Sequence, residues 1–249
     1  MGETQTMPTV PPNAGAVHQV ALMNYLISMA RTVETNVNRS LDALLSRSEV
    51  KASEVFFLEP QVNEMEIIID NHAIQLLRKG GLADEDVRLI VATQKITNDL
   101  ERMGDLAVNI AQCVVSLAAM PTIKTPPDLA PMIASVRAMF SRCLGALIFR
   151  NVDLASEVLQ ADDQVDAFRD QLFECLLGEM YDRPASVNAN LQFVLATRYL
   201  ERIADHTTNI AEDIIFWVRG QDVRHGQAAS LIPESPEEEA LPPTKVSPS

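Results

Sequence analysis

Leu100-Glu101-Arg102-Met103-Gly104-Asp105-Leu106-Ala107-Val108-Asn109-Ile110-Ala111 recurs in the second half of the chain as Leu200-Glu201-Arg202-Ile203-Ala204-Asp205-His206-Thr207-Thr208-Asn209-Ile210-Ala211. Leu-Glu-Arg, the Asp and Asn-Ile-Ala hold the same places in both copies. Identity at that density reads as a duplicated module, and apolar residues spaced by three and four make the module helical. Each copy contains a Glu-x-x-x-Asp pair. Positions i and i+4 share a helix face, so each copy presents two carboxylates together.

A helical wheel at about 100° per residue, with Glu101 at its origin, sharpens this. Asp105, Asn109, Asn98 and Gln112 fall on the same side, and Met103, Ala107, Ile110, Val114 and Leu117 fall opposite. In the second copy Arg198, Glu201, Asp205, Asn209 and Glu212 form the polar stripe against Ile203, Ile210 and Ile214. The carboxylates are therefore expected on an outer face, away from the apolar core. A solvated stripe is the ordinary fate of such residues. Yet like charges at i and i+4 cost a few tenths of a kcal/mol, and both copies keep them.

Outward from the two motifs, the chain reads as helices throughout. Leu22, Leu26, Met29, Val33, Val37, Leu41 and Leu44 mark one long helix from Val17. Ser46–Ser53 reads as a break, with a second helix from near Ser53 or Glu59 to Lys79, stopped by Gly80-Gly81. Asp84-Glu85-Asp86 opens the third helix, which carries the first motif. Pro121, Pro126, Pro127 and Pro131 make the clearest linker. Beyond it Met132, Val136, Phe140, Leu144 and Leu147 mark a fourth helix. Asn151 or Asp153 caps a fifth, and Pro184 opens the last. The fold class is all-α, two tandem three-helix bundles. The expected bounds are a disordered lead at 1–16, a bundle at 17–120, a linker at 121–131, a bundle at 132–225 and a disordered acidic, Pro-rich tail at 226–249.

Composition narrows the function. The chain has 249 residues, 47% of them hydrophobic, with mean hydropathy +0.03 and a formal charge of -14. That charge argues against nucleic acid and anionic membranes and favours cations or basic protein surfaces. No apolar run is expected to span a bilayer, and no signal-peptide pattern opens the chain. Cys113, Cys143 and Cys175 are few, odd in number and widely spaced, so each is expected to be a buried free thiol in a reducing cytoplasm.

The middle helices add further acids. Glu59 precedes Val62-Asn63, with Glu66 and Asp70 continuing the face; Asp162 precedes Val165-Asp166, with Asp170 following. If second and third helices are antiparallel neighbours, each bundle gathers at least three carboxylates on one surface. Oxygen-only sets of this kind suit hard or borderline cations.

These residues carry a resemblance. The first motif, the fuller stretch Arg198–Glu212, the downstream Gly220-Gln221-Asp222-Val223-Arg224-His225 and the Val62–Asp70 segment resemble the PhoU family over roughly residues 17–225. The resemblance implies two three-helix bundles with surface metal clusters, on a non-enzymatic cytoplasmic regulator that restrains phosphate uptake and phosphate-starvation signalling. It implies as partners the ATPase subunit of a phosphate ABC transporter and a phosphate-sensing histidine kinase, and leaves room for a homodimer. By motif match the metal-ligand candidates are Glu59, Asn63, Glu101, Asp105, Asp162, Asp166, Glu201 and Asp205. Iron, zinc, manganese and magnesium remain open as the metal. Asn63 stands where a strict acidic pair has Asp, so the second site is expected to be the tighter.

Two other classes stand beside this reading. A metal-free helical adapter would use the same acidic faces to meet Arg and Lys of a partner. A carboxylate-bridged di-metal oxidase would need Glu-x-x-His pairs aimed into a bundle core. None of His18, His72, His206 or His225 follows a Glu by three.

Overall fold

The computed structural model describes residues 14–223 and 229–230. The expected disordered lead and tail lie outside the described residues, apart from 14–16, which open the first helix, and 229–230. Six long helices account for the described chain: α1 (Ala14–Ser46), α2 (Glu49–Lys79), α3 (Asp84–Ala118), α4 (Leu129–Phe149), α5 (Val152–Asp182) and α6 (Val187–Arg219). A 3-10 turn, Pro184–Ser186, leads into α6 with Pro184 in its first turn. Two-residue strands β1 (Gln221–Asp222) and β2 (Ala229–Ser230) pair antiparallel after α6, a feature the sequence pattern did not suggest.

The apolar stripes form the core. Leu22, Leu26, Met29, Val33 and Leu41 of α1 are buried, as are Val62, Ile69 and Leu76 of α2 and Leu100, Met103, Ala107 and Ile110 of α3. The second triplet repeats this with Val136 and Leu147, Val158 and Val165, and Leu200, Ile203 and Ile210. Within each triplet the helices run down, up and down. The turns that reverse them are built alike. Arg47 and Arg150 each end a helix in the left-handed conformation, at φ 50° and 49°. Each is followed by a capping residue, Ser48 or Asn151, whose side chain accepts from the first-turn N–H groups of the next helix.

Three expectations need correction. The break after α1 is only Arg47-Ser48, and α2 begins at Glu49, before Ser53 or Glu59. Pro60 lies inside the helix rather than at its start. Cys113 and Cys143 are buried free thiols, but Cys175 is only half-covered. Finally, α4 is long and apolar enough by composition to cross a membrane. Half of that stretch is buried inside the protein, however, and its Arg137 pairs with Asp42 of α1. It is a core helix.

The two bundles share one continuous hydrophobic cluster. The most extensive helix–helix contact in the molecule is α3 against α6, the two motif helices, packed antiparallel across the seam. This explains why each is buried over far more than one stripe. Lys95 Nζ meets Asp213 Oδ1 at 2.9 Å, and His206 Nδ1 meets Asp99 Oδ1 at 2.8 Å. Arg47 reaches over the seam, its guanidinium 5.1 Å from the Phe193 ring centre, and Arg150 lies 4.7 Å over Trp217. With both motif helices tied back to back, their carboxylate faces turn outward, toward α2 on one side and α5 on the other.

Candidate functional site

The first face is made by α2 against α3. Gly104 lies within the first motif, and a methyl group there would stand 3.5 Å from Val62 Cγ1. The close contact of Val62 with this turn sets Glu59, Asn63 and Glu66 beside Glu101 and Asp105. All five are half-buried. Asn63 Nδ2 donates to Glu59 Oε1 at 2.5 Å, so its carbonyl oxygen keeps its lone pairs. Burial first, then the neighbouring Asp105, raises the Glu101 carboxyl above its ordinary value; Glu66 and Glu59 add to the push, and Arg102 opposes it. Arg102 is itself over half exposed, 3.5 Å from Glu101. The four carboxylates of this face are thus a repelling set with one peripheral cation nearby.

The second face, α5 against α6, gathers Asp162, Asp166, Glu201 and Asp205. The first three are half-buried and Asp205 is exposed. Burial, followed by Asp205 and Asp166, pushes the Asp162 carboxyl up to about 6. Asp205 is also raised, by burial and then by Glu201 and Asp166, with His206 and Arg169 pulling the other way. Here the structure supplies a residue the sequence reading did not single out. Arg169 Nη1 donates to Asp166 Oδ1 at 2.9 Å and to Glu201 Oε1 at 2.7 Å, while the same guanidinium meets Asp170 at 3.0 Å. The only sequence signal for it was the i, i+3 spacing from Asp166. Its partner on α6 is far away in the chain.

His206, tempting as a ligand because it follows Asp205, turns instead into the seam to meet Asp99. A cavity of about 290 Å³ adjoins Arg169, lined also by Phe173, Thr197 and Arg198. Among the described residues, no three Asp, Glu, His or Cys side chains converge as a ready-made metal cage. The donor chemistry still fits a hard cation on the first face, where Glu59, Glu66, Glu101, Asp105 and the Asn63 carbonyl are all oxygen donors. On the second face one oxygen of Asp166 and one of Glu201 are already engaged by Arg169.

The sequence pattern that describes the PhoU domain matches residues 26–114 and again 129–214. The chain belongs to the PhoU family. Both matched stretches carry one acidic face, so the duplication seen in the motif is the family's domain occurring twice. The chain is 33% identical over 203 residues to the "phosphate-specific transport system accessory protein PhoU homolog" of Clostridium acetobutylicum, covering 81% of this chain and 93% of that one. It is 34% identical to the Pseudomonas aeruginosa protein of the same description, covering 81% and 84%. The crystal structure of PhoU from Pseudomonas aeruginosa superposes with a TM-score of 0.79 at 31% identity, over 83% of this chain and 99% of that one. A PhoU structure from Streptococcus pneumoniae, at 23% identity and a TM-score of 0.77, shares the fold.

Proposed function

We propose that this protein is a non-catalytic accessory protein of phosphate-specific transport, restraining phosphate uptake and phosphate-starvation signalling through protein–protein contacts. The observation that carries this is the match of both halves to the PhoU domain, together with identity near one third to relatives described as accessory proteins of that transport system. The acids lie on outer faces, and His206, next to Asp205, turns to Asp99 across the seam. In this reading the chain works in the cytoplasm. Its partners are the ATPase subunit of the transporter and a phosphate-sensing histidine kinase.

The acidic faces would take part in those contacts. Glu59, Asn63, Glu101 and Asp105, with Glu66, would hold a divalent or transition metal ion: iron, zinc, manganese or magnesium. Such an ion would offset the burial and like-charge crowding that raise the Glu101 carboxyl. The adapter reading keeps a place because Arg169 shows that a guanidinium can satisfy such a face. A partner's Arg or Lys could then do what Arg169 does within the chain.

The test is genetic. Deletion of the gene in phosphate-replete cells is expected to raise phosphate uptake and derepress phosphate-starvation genes, with reversal by the intact chain. Normal repression in the deletion strain would end the regulatory reading. Co-purification from phosphate-replete cells identifies the partners.

A further inference from the structure

The two acidic faces derive from the same module, and their middle helices align residue by residue. Glu59-Pro60-Gln61-Val62-Asn63-Glu64-Met65-Glu66 of α2 corresponds to Asp162-Asp163-Gln164-Val165-Asp166-Ala167-Phe168-Arg169 of α5. Acid, glutamine and valine recur in place. At the last position Glu66 stands against Arg169, a reversal of charge at the point where each middle helix meets its motif helix.

We infer that Arg169 is the resident counter-cation of the second face. It already engages Asp166 and Glu201, so a metal on that face must compete with Arg169 for them. The first face, with Glu66 in the same position, is the one that a dissolved cation completes. The inference rests in part on the reading above that the first face takes metal.

Geometry carries it. Arg169 Nη1 lies 2.9 Å from Asp166 and 2.7 Å from Glu201, two of the carboxylates a metal there would need. Its bond to Asp170, at 3.0 Å, completes a three-carboxylate grip, and the side chain is only 32% exposed. Charge-assisted guanidinium–carboxylate bonds are among the stronger polar contacts, and the rigid fork loses little freedom per bond made. A metal that takes the bonded Asp166 and Glu201 oxygens must displace Arg169 from both. Depth does not distinguish the faces, because Glu101 and its counterpart Glu201 have the same side-chain exposure, 21%. The difference is the counter-charge. This reverses the ranking that Asn63 alone suggests, since Asn63 still offers an oxygen while Arg169 takes oxygens away.

The experiment uses the full chain, with Mn²⁺ as probe in equilibrium dialysis and thermal unfolding in EDTA as a metal-free readout. Wild type is expected to bind Mn²⁺ in a manner abolished by Asp105→Asn and unaffected by Asp205→Asn. Arg169→Gln should add a second class of sites, roughly doubling the bound Mn²⁺, and Glu66→Arg should remove the first. In EDTA, Arg169→Gln should lower Tm, Arg169→Lys should restore part of the loss, and Glu66→Arg should raise Tm. Unchanged stoichiometry in Arg169→Gln, or loss of wild-type binding through Asp205→Asn, overturns the inference. If wild type binds no Mn²⁺, the metal reading of the first face fails, and the EDTA arm alone decides on Arg169. An unchanged Tm there overturns it, and a lowered one sustains it.

Discussion

The α2–α3 face and the α5–α6 face began as copies, and they solve the same electrostatic problem differently. Each places four carboxylates on neighbouring helices, and each keeps a Glu-x-x-x-Asp pair that a lone helix would be better without. On the first face the repulsion is left standing, with Arg102 at the edge. On the second, Arg169 reaches across from α5 to Glu201 of α6, while Asp162 and Asp205 stay raised by burial and neighbouring carboxylates. A duplicated scaffold can therefore keep its packing while one exchanged side chain changes the charge of a surface.

The largest effect expected from probing this comparison concerns the apolar wall beneath the acids. Val62 and Val165 are each 1% exposed. Replacing either with Ala should cost about 1–3 kcal/mol, measured by denaturant unfolding. The loss should be greater at Val62, because it faces Gly104 while the second copy has Ala204 to help fill the gap. Equal losses would mean that the two walls are packed alike.

A smaller effect comes from Asp162. Its carboxyl is raised to about 6 in the fold, against an ordinary Asp value of about 3.9. The folded state then holds a proton that the unfolded state has released, so stability falls as pH rises from about 4 to about 6 and stays lowered above that. Asp162→Asn should remove this slope and raise Tm at pH 7.5 in EDTA. Glu101→Gln, on the first face, should shift Tm in the same direction, since that carboxyl is also raised. A lowered Tm in either variant would show that the carboxylate is stabilised by its surroundings rather than strained.

The smallest effect is expected at Gly104. A methyl there meets Val62 at ordinary van der Waals distance, and Ala has the higher helix propensity. Gly104→Ala should hold or raise stability, by up to about 1 kcal/mol, since the helix gains propensity and no clash arises. A large loss would show that the first face needs a closer helix approach than the second.

How much of this was written in the sequence differs by level. Local signals sufficed for the helices. The Leu22–Leu44 stripe, the Gly80-Gly81 stop and the Asn151 cap are each decided by neighbours in the chain, and the fold class followed from them. The start of α2 was misplaced because Ser46–Ser53 is polar enough to read as a loop. The actual break is Arg47-Ser48, with an arginine in the left-handed conformation usually left to glycine. The wheel set Glu101 and Asp105 opposite the apolar stripe, and in the fold they are half-buried beside α2. It could not show that α3 and α6 bury a second face against each other, since that depends on how two distant helices dock. Arg169 was invisible for the same reason. One salt-bridge partner, Asp166, is three residues away, but the one that gives it meaning is on another helix.

The central claim is that one face depends on a cation and the other supplies its own. Thermal unfolding of Glu101→Gln and Glu201→Gln, each with EDTA and with saturating Mn²⁺, tests it most directly. A Mn²⁺-induced rise in Tm is expected in wild type, and it should vanish in Glu101→Gln and persist in Glu201→Gln. Equal loss of that rise in both variants, or loss only in Glu201→Gln, would contradict the account.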